Sequence, residues 1–144
     1  MEKGFNAFNY GANAICFKKN NYNYGMICSW ATQVDYDKIV MLLGEQSITG
    51  KNICQGDVVG VSVLSIHQED IMNLLGNGHS DEIDKFKDIK YTLDDSAILI
   101  DDASICMVVE VIDVIHLEGI EEDNLVYAAI KSYKKNKEKM LTIN

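Results

Sequence analysis

The chain has 144 residues, a length that suits one folded unit, with 47% hydrophobic and 24% charged residues. That balance excludes both a disordered chain and one built of long apolar membrane helices. All 13 basic residues are lysine and stand against 22 acidic ones, for a net charge of −9, which disfavours nucleic acid and anionic membrane surfaces as partners.

Two absences sharpen the picture. Without arginine there is no planar guanidinium fork for bidentate phosphate or carboxylate binding. The four cysteines, Cys16, Cys28, Cys54 and Cys106, form no Cys-x-x-Cys pair and have no histidine at ligand spacing, so no metal site is expected. The opening residues lack a basic segment followed by an apolar run, and no stretch approaches the roughly 20 apolar residues that span a bilayer. The expectation is a cytoplasmic protein with reduced thiols.

In chain order, residues 10–17 and 24–32 read as two strands flanking Lys18-Lys19-Asn20-Asn21, a polar stretch suited to a hairpin turn. Residues 38–43 form a short apolar run, bounded by Gly44, whose length and β-branching favour a strand. Residues 47–54, closed by Gly56, are a candidate helix. Val59-Gly60-Val61-Ser62-Val63 alternates strictly, and its small residues predict a strand with one face close against a neighbour.

Ser65-Ile66-His67-Gln68 fits a capping box, with Ser65 as N-cap and Gln68 reaching back. Ile71, Leu74 and Leu75 then share a helical face until Gly76-Asn77-Gly78 ends it. A further short helix is expected from Ser80, with Asp81 and Glu82 in its first turn and Ile83 and Phe86 inward. Residues 103–117 and 125–133 return to strand around an acidic turn. Strands, helix, strand, helices and strands again, without βαβ alternation, suit a mainly β domain, a barrel with short helices. It spans 1–144, with a core of about 5–135 and a lysine-rich, solvated tail at 131–144.

Three segments could carry chemistry. In Gly44-Glu45-Gln46-Ser47-Ile48-Thr49-Gly50-Lys51 a strand ends and a helix begins. Ser47 or Thr49 caps that helix, or both hydroxyls and the Lys51 ammonium cradle a phosphate at its start. No Walker-type spacing is present, so triphosphate hydrolysis is disfavoured. In Cys28-Ser29-Trp30-Ala31-Thr32-Gln33-Val34, small and polar residues adjoin an aromatic at a strand end. They either line the edge of a planar heterocycle or place Trp30 in the core. His79-Ser80, followed by Asp84-Lys85-Phe86, puts a histidine in a glycine-rich loop, where it is solvent-exposed or catalytic. No histidine has a nucleophile partner, and the Gly-x-Ser-x-Gly elbow is absent, which disfavours a hydrolase.

Taken in order, Tyr10-Gly11, residues 25–34, Gln46-Ser47-Ile48-Thr49, residues 60–65, Asp84-Lys85-Phe86 and residues 103–114 resemble the flavin reductase-like family. The likeness is greatest to the flavodomains of high-molecular-weight rubredoxins and to flavoredoxins. The resemblance implies the FMN-binding split β-barrel and a homodimer with one FMN per subunit, FMN rather than FAD. It also implies NAD(P)H as co-substrate, with free flavin, a rubredoxin-like carrier or a ferric complex as acceptor. The alternative is a non-enzymatic FMN electron carrier.

By position, the resemblance places Ser29, Trp30, Ala31, Thr32 and Gln33 along the isoalloxazine and ribityl groups. Gln46, Ser47, Thr49 and Lys51 would hold the phosphate. Asp84, Lys85 and Phe86 would approach from the following loop, with His79 and Ser80 nearby. Asp35-Tyr36-Asp37 stands where the family commonly has a proline pair, and residues 125–131 lack a histidine common there. No catalytic residue is named on these grounds.

Overall fold

A run of residues destined for both faces of a sheet must be apolar on both sides, and Asn13–Lys19 is such a run. It forms strand β2, in which Ile15 and Phe17 enter one core while Ala14 and Cys16 enter another. The computed structural model describes residues 4–44, 47–76 and 85–143. Within it, β1 is Tyr10–Gly11, β3 Tyr22–Cys28, β4 Ala31–Asp35, β5 Lys38–Gly44 and β6 Val58–Val63. Helices α1 (Ile48–Lys51) and α2 (Glu69–Gly76) are short. The remaining strands are β7 (Tyr91–Asp94), β8 (Ala97–Ile100), β9 (Ile105–His116), β10 (Asp123–Lys135) and β11 (Thr142–Ile143).

The larger sheet runs in the order β4-β5-β10-β9-β6-β2-β8-β7, with β3 also pairing β2, and every pairing is antiparallel. The expected hairpin of β2 and β3 is present. It turns at Asn20 and Asn21, both in the left-handed region at φ 54° and 62°, a backbone shape that asparagine tolerates and that matches strand twist. The strand expected over 24–32 stops at Cys28. The chain turns a corner through Ser29 and Trp30 and resumes as the separate edge strand β4.

The first core gathers Ile15, Phe17, Met41, Leu43, Val59, Val61, Val109 and Val126 inside the curved sheet. The second lies on the other face of β2 and β6, where Ala14, Cys16 and Leu64 meet Leu75, Phe86, Ile98 and Ile100. The close neighbour expected beside β6 is β8. A side chain at Gly60 would run into the backbone carbonyl of Ile98, and the Ser62 hydroxyl accepts a bond from Ile100 N–H at 3.0 Å.

The capping-box contact forms, with Ser65 N–H donating to Gln68 Oε1 at 3.0 Å, although α2 begins only at Glu69. The short helix expected from Ser80 falls mostly outside the described residues, and residues 85–88 form turns. The β7–β8 hairpin had no strand prediction. Its turn passes through Asp95, in the left-handed region at φ 55°.

The lysine-rich end departs from a free tail. Its side chains are exposed, but β10 continues to Lys135, and β11 pairs β1 with Tyr10 opposite Ile143. Among the described residues no helix is long and apolar enough to cross a membrane.

Replacing Gly60 by alanine drives a β-carbon into backbone that cannot swing aside, so Gly60→Ala is expected to cost about 3 kcal/mol or more. A urea unfolding curve reads this as a lowered midpoint with an unchanged slope.

Candidate functional site

The corner between β3 and β4 is built by backbone bonding. The buried Asn13 side-chain amide donates to the Cys28 carbonyl at 3.0 Å, and Leu42 N–H donates to the Trp30 carbonyl at 2.8 Å. The Cys28 thiol sits 3.4 Å and 3.5 Å from the Leu42 and Trp30 carbonyls. Burial pushes that thiol up to about 12, against the opposing pull of the two carbonyl contacts, so it remains a protonated donor. With its backbone tied inward, Trp30 turns its ring outward and is 53% exposed. The core alternative for Trp30 is therefore ruled out. Tyr10 leans on it, ring centroids 6.1 Å apart at 48°.

Tyr10, Trp30 and Leu42 are shared by two cavities. The first, about 360 Å³, is bounded by Met26, Ile27, Cys28, Ser29, Gly44, Asp123, Asn6 and Ile143 as well. The second, about 590 Å³, adds Phe8, Asn9, Ala31, Thr32, Val40, Leu117, Ile120 and Leu125 and is predominantly apolar. Both volumes lie in the range of small-molecule sites. β4 ends the sheet order, so its outer edge offers backbone N–H and C=O groups that no strand among the described residues takes up. Gln33 lies farther along this edge with Val34, Asp35 and Tyr36, and its side-chain amide donates to the Tyr36 carbonyl at 3.2 Å.

The turn into α1 adjoins the first cavity through Gly44 and Met26. Ser47 is the N-cap: its Oγ accepts from Gly50 N–H at 2.8 Å, lies 2.9 Å from the Gly44 carbonyl and 3.4 Å from Met26 Sδ. Thr49 is 1% exposed, and its hydroxyl donates to the Gly25 carbonyl at 3.0 Å. Of the two open readings for these hydroxyls, the local geometry matches capping and anchoring. Lys51 is exposed on the same turn. The C-terminal end of α1 is tied by Lys19, whose ammonium donates to the Asn52 carbonyl at 2.8 Å and pairs with Asp57 at 2.9 Å.

Lys85 and Phe86 lie elsewhere. Lys85 is 8% exposed, and its ammonium donates to the Leu75 carbonyl at 2.9 Å, at the end of α2, and to the Gly25 carbonyl at 3.4 Å. Burial holds its pKa below the usual lysine range. Phe86 packs over Gly25, where a β-carbon would strike its ring, and meets Tyr91 edge-on. The two residues fasten the chain after α2 to β3 and border neither cavity at Trp30. Gln46, His79, Ser80 and Asp84 lie outside the described residues.

The structure thus brings together Ser29, Trp30, Ala31 and Thr32, with Ser47 at the margin. Sequence reasoning missed Met26, Leu42, Asp123 and Ile143 as lining residues, and Phe8, Leu117 and Ile120 beyond them. The one available signal was the pair Leu117 and Ile120, apolar residues set in an otherwise acidic turn.

Two outcomes check this geometry. Thr49→Val, which keeps the shape but removes the donor to Gly25, is expected to lower stability by about 1–2 kcal/mol in chemical unfolding. In mildly alkaline buffer an alkylating reagent should label the exposed Cys54 rapidly, whereas Cys28 and Cys16, both buried with raised pKa values, should react only after unfolding. Mass spectrometry of the labelled peptides reads the difference.

Comparison with known proteins converges on one family. The model described as "Flavin reductase like domain" matches residues 8–143. No curated protein matches the sequence. Among solved structures, the Streptomyces globisporus NADH:FAD oxidoreductase SgcE6 superposes with a TM-score of 0.85 at 14% identity, over 95% of this chain and 82% of that one. An FMN-binding protein from Thermus thermophilus gives 0.83 at 13% identity, over 95% and 78%. Flavoredoxin from Methanosarcina acetivorans gives 0.82 at 9%, over 95% and 74%. At these identities the likeness establishes the split-barrel fold.

Proposed function

The chain belongs to the flavin reductase-like domain family, and from that premise we propose that it is an FMN-binding oxidoreductase that accepts hydride from NAD(P)H and passes electrons to a second acceptor. The observation that carries this reading is Trp30, half-exposed over the first cavity at a corner whose backbone is bonded to β5. An isoalloxazine asks for a flat apolar slot beside an aromatic ring, with polar groups along one edge. Trp30, Tyr10 and Met26 supply the slot. The Ser29 hydroxyl and the outer backbone edge of β4 supply the polar side.

The residues present therefore fit a flavin. Ser29, Trp30, Ala31 and Thr32 would hold its ring system. The turn from Gly44 to Lys51, fixed by Ser47, would hold its phosphate through backbone amides and the exposed Lys51 ammonium. With no arginine in the chain, lysine, hydroxyls and backbone amides carry that task, which suffices for a monophosphate. Thr49 contributes by fixing α1 against β3 and not by direct contact. Bound there, the flavin supplies the hydride acceptance and electron transfer. The protein's part is to orient it, exclude water from the apolar side and place N–H dipoles along its heteroatom edge.

Homodimerisation is proposed on the surface around β4. Phe8 is 77% exposed, Val34 54% and Tyr36 96%, and the adjoining second cavity is apolar. Such a patch beside an open strand edge is what a second copy would cover. Light scattering should then report twice the 16.1 kDa chain mass.

The functional reading is tested by titration and by anaerobic reduction. FMN added to the flavin-free protein should quench the emission of Trp30, the chain's single tryptophan. NADH or NADPH added to the FMN complex without oxygen should then bleach the flavin within a turnover time. Bleaching that is slow while carrier proteins reoxidise the reduced complex rapidly would make the protein an electron carrier. No quenching and no bleaching would reject the proposal.

A further inference from the structure

The end of the chain has a place in this site that its composition hides. Asn136 is clasped to the body, its N–H donating to the Ser104 carbonyl at 2.8 Å and its side-chain amide to Ala103 at 2.6 Å. Ile66 N–H then donates to the Lys139 carbonyl at 2.9 Å, and Leu141 N–H to Leu64 at 2.8 Å. Up to Leu141 the segment is pinned to the β6–α2 junction. Beyond it, residues 142 and 143 form β11, which among the described residues pairs only β1, and Ile143 becomes part of the wall of the first cavity.

β1 is equally slight. It has two residues, Tyr10 and Gly11, and among the described residues its sole ladder partner is β11. A ladder this short has little stability of its own. Yet Tyr10 is the side chain that leans on Trp30 and borders both cavities. Two residues on, Ala12 is anchored, its N–H donating to the Leu141 carbonyl at 3.3 Å and its carbonyl accepting from Leu64 N–H at 3.0 Å, so what Ile143 adds opposite Tyr10 is the last hold on that ring.

We propose that β11 is a positioning wall of the flavin cleft: Ile143 closes its apolar side and, through pairing with Tyr10, keeps the tyrosine ring against Trp30. The inference rests on the flavin reading of the first cavity. Of the segments that line the slot, the one carrying Ile143 is tied to the fold by its own upstream clasp. The wall can thus be removed without removing the clasp.

The test compares the full chain with a chain ending at Leu141 and with Ile143→Ser and Ile143→Val. Ile143 also packs on the second core, so a modest fall in urea midpoint is expected in the truncated chain and in Ile143→Ser, and in the flavin-free proteins iodide quenching of Trp30 should rise at urea concentrations well below either midpoint. FMN affinity should fall about tenfold in both, the scale of one exposed aliphatic side chain, and should hold within about twofold in Ile143→Val. Should the truncated chain fail to fold, Ile143→Ser alone decides. Unchanged Trp30 quenching together with unchanged FMN affinity overturns the proposal, as does a loss of affinity that merely tracks a lowered urea midpoint. A full chain that ignores FMN rejects the flavin reading, and the iodide comparison then still decides whether β11 walls the cavity.

Discussion

The 2.8 Å bond from Leu42 N–H to the Trp30 carbonyl is the constraint on which the site depends. It joins β5 to the corner after β3, so the chain cannot continue β3 straight through Trp30. With Asn13 holding the Cys28 carbonyl from the other side, the corner's backbone is satisfied inward and only its side chains are left to face out. A large indole then stays half in water at a cost in apolar exposure, which the fold tolerates because the alternative is an unpaired buried carbonyl. An exposed aromatic beside two cavities is a candidate binding surface in a way that a stray surface tryptophan is not.

Much of the fold was legible, because it rests on local rules. Asn20-Asn21 announces a tight hairpin, alternation marks β6, and Ser65 with Gln68 marks the approach to α2. The small residues at Gly60 and Ser62 even reported a close neighbour, though not that it was β8. What stayed hidden was set by partners distant in the chain. β7 and β8 have four residues each, β7 is partly polar, and the ladder to β2 is a single residue pair, Phe17 with Ala97. The lysines near the end suggested solvent and do face it, but backbone bonds carry no composition signal. The pairing of β11 with β1 could not be inferred from them.

The site was legible in part for the same reason. Ser29 to Thr32 are contiguous, so a strand end rich in small and polar residues was enough to locate them. The residues that complete the slot, Tyr10, Met26, Leu42 and Ile143, come from four other segments and are ordinary apolar or aromatic side chains. Lys85 and Phe86 have a structural role that their sequence context did not announce. Their place in the family pattern suggested ligand contact, whereas here an ammonium bonded to the carbonyls of Leu75 and Gly25 and a ring over a glycine make them fasteners of the loop.

Lysine does unusual work in a chain without arginine. Lys19 and Lys85 each bond backbone carbonyls, Lys19 at the end of α1 and Lys85 at the end of α2, where the helix dipole favours a cation. A guanidinium would bring five donors to positions that use two or three, and the surplus would be buried without partners. The single ammonium suits these sites, and its position at both helix ends leaves their carbonyls satisfied. The same economy reaches the candidate site. Ser47 and Thr49 spend their hydroxyls holding α1 in place, so the turn is preorganised before any ligand arrives. On the proposed reading, recognition of an anion there would fall to groups not spent in that way, with Lys51 supplying the charge, and such a site would discriminate by shape along the cleft more than by strength at its phosphate end.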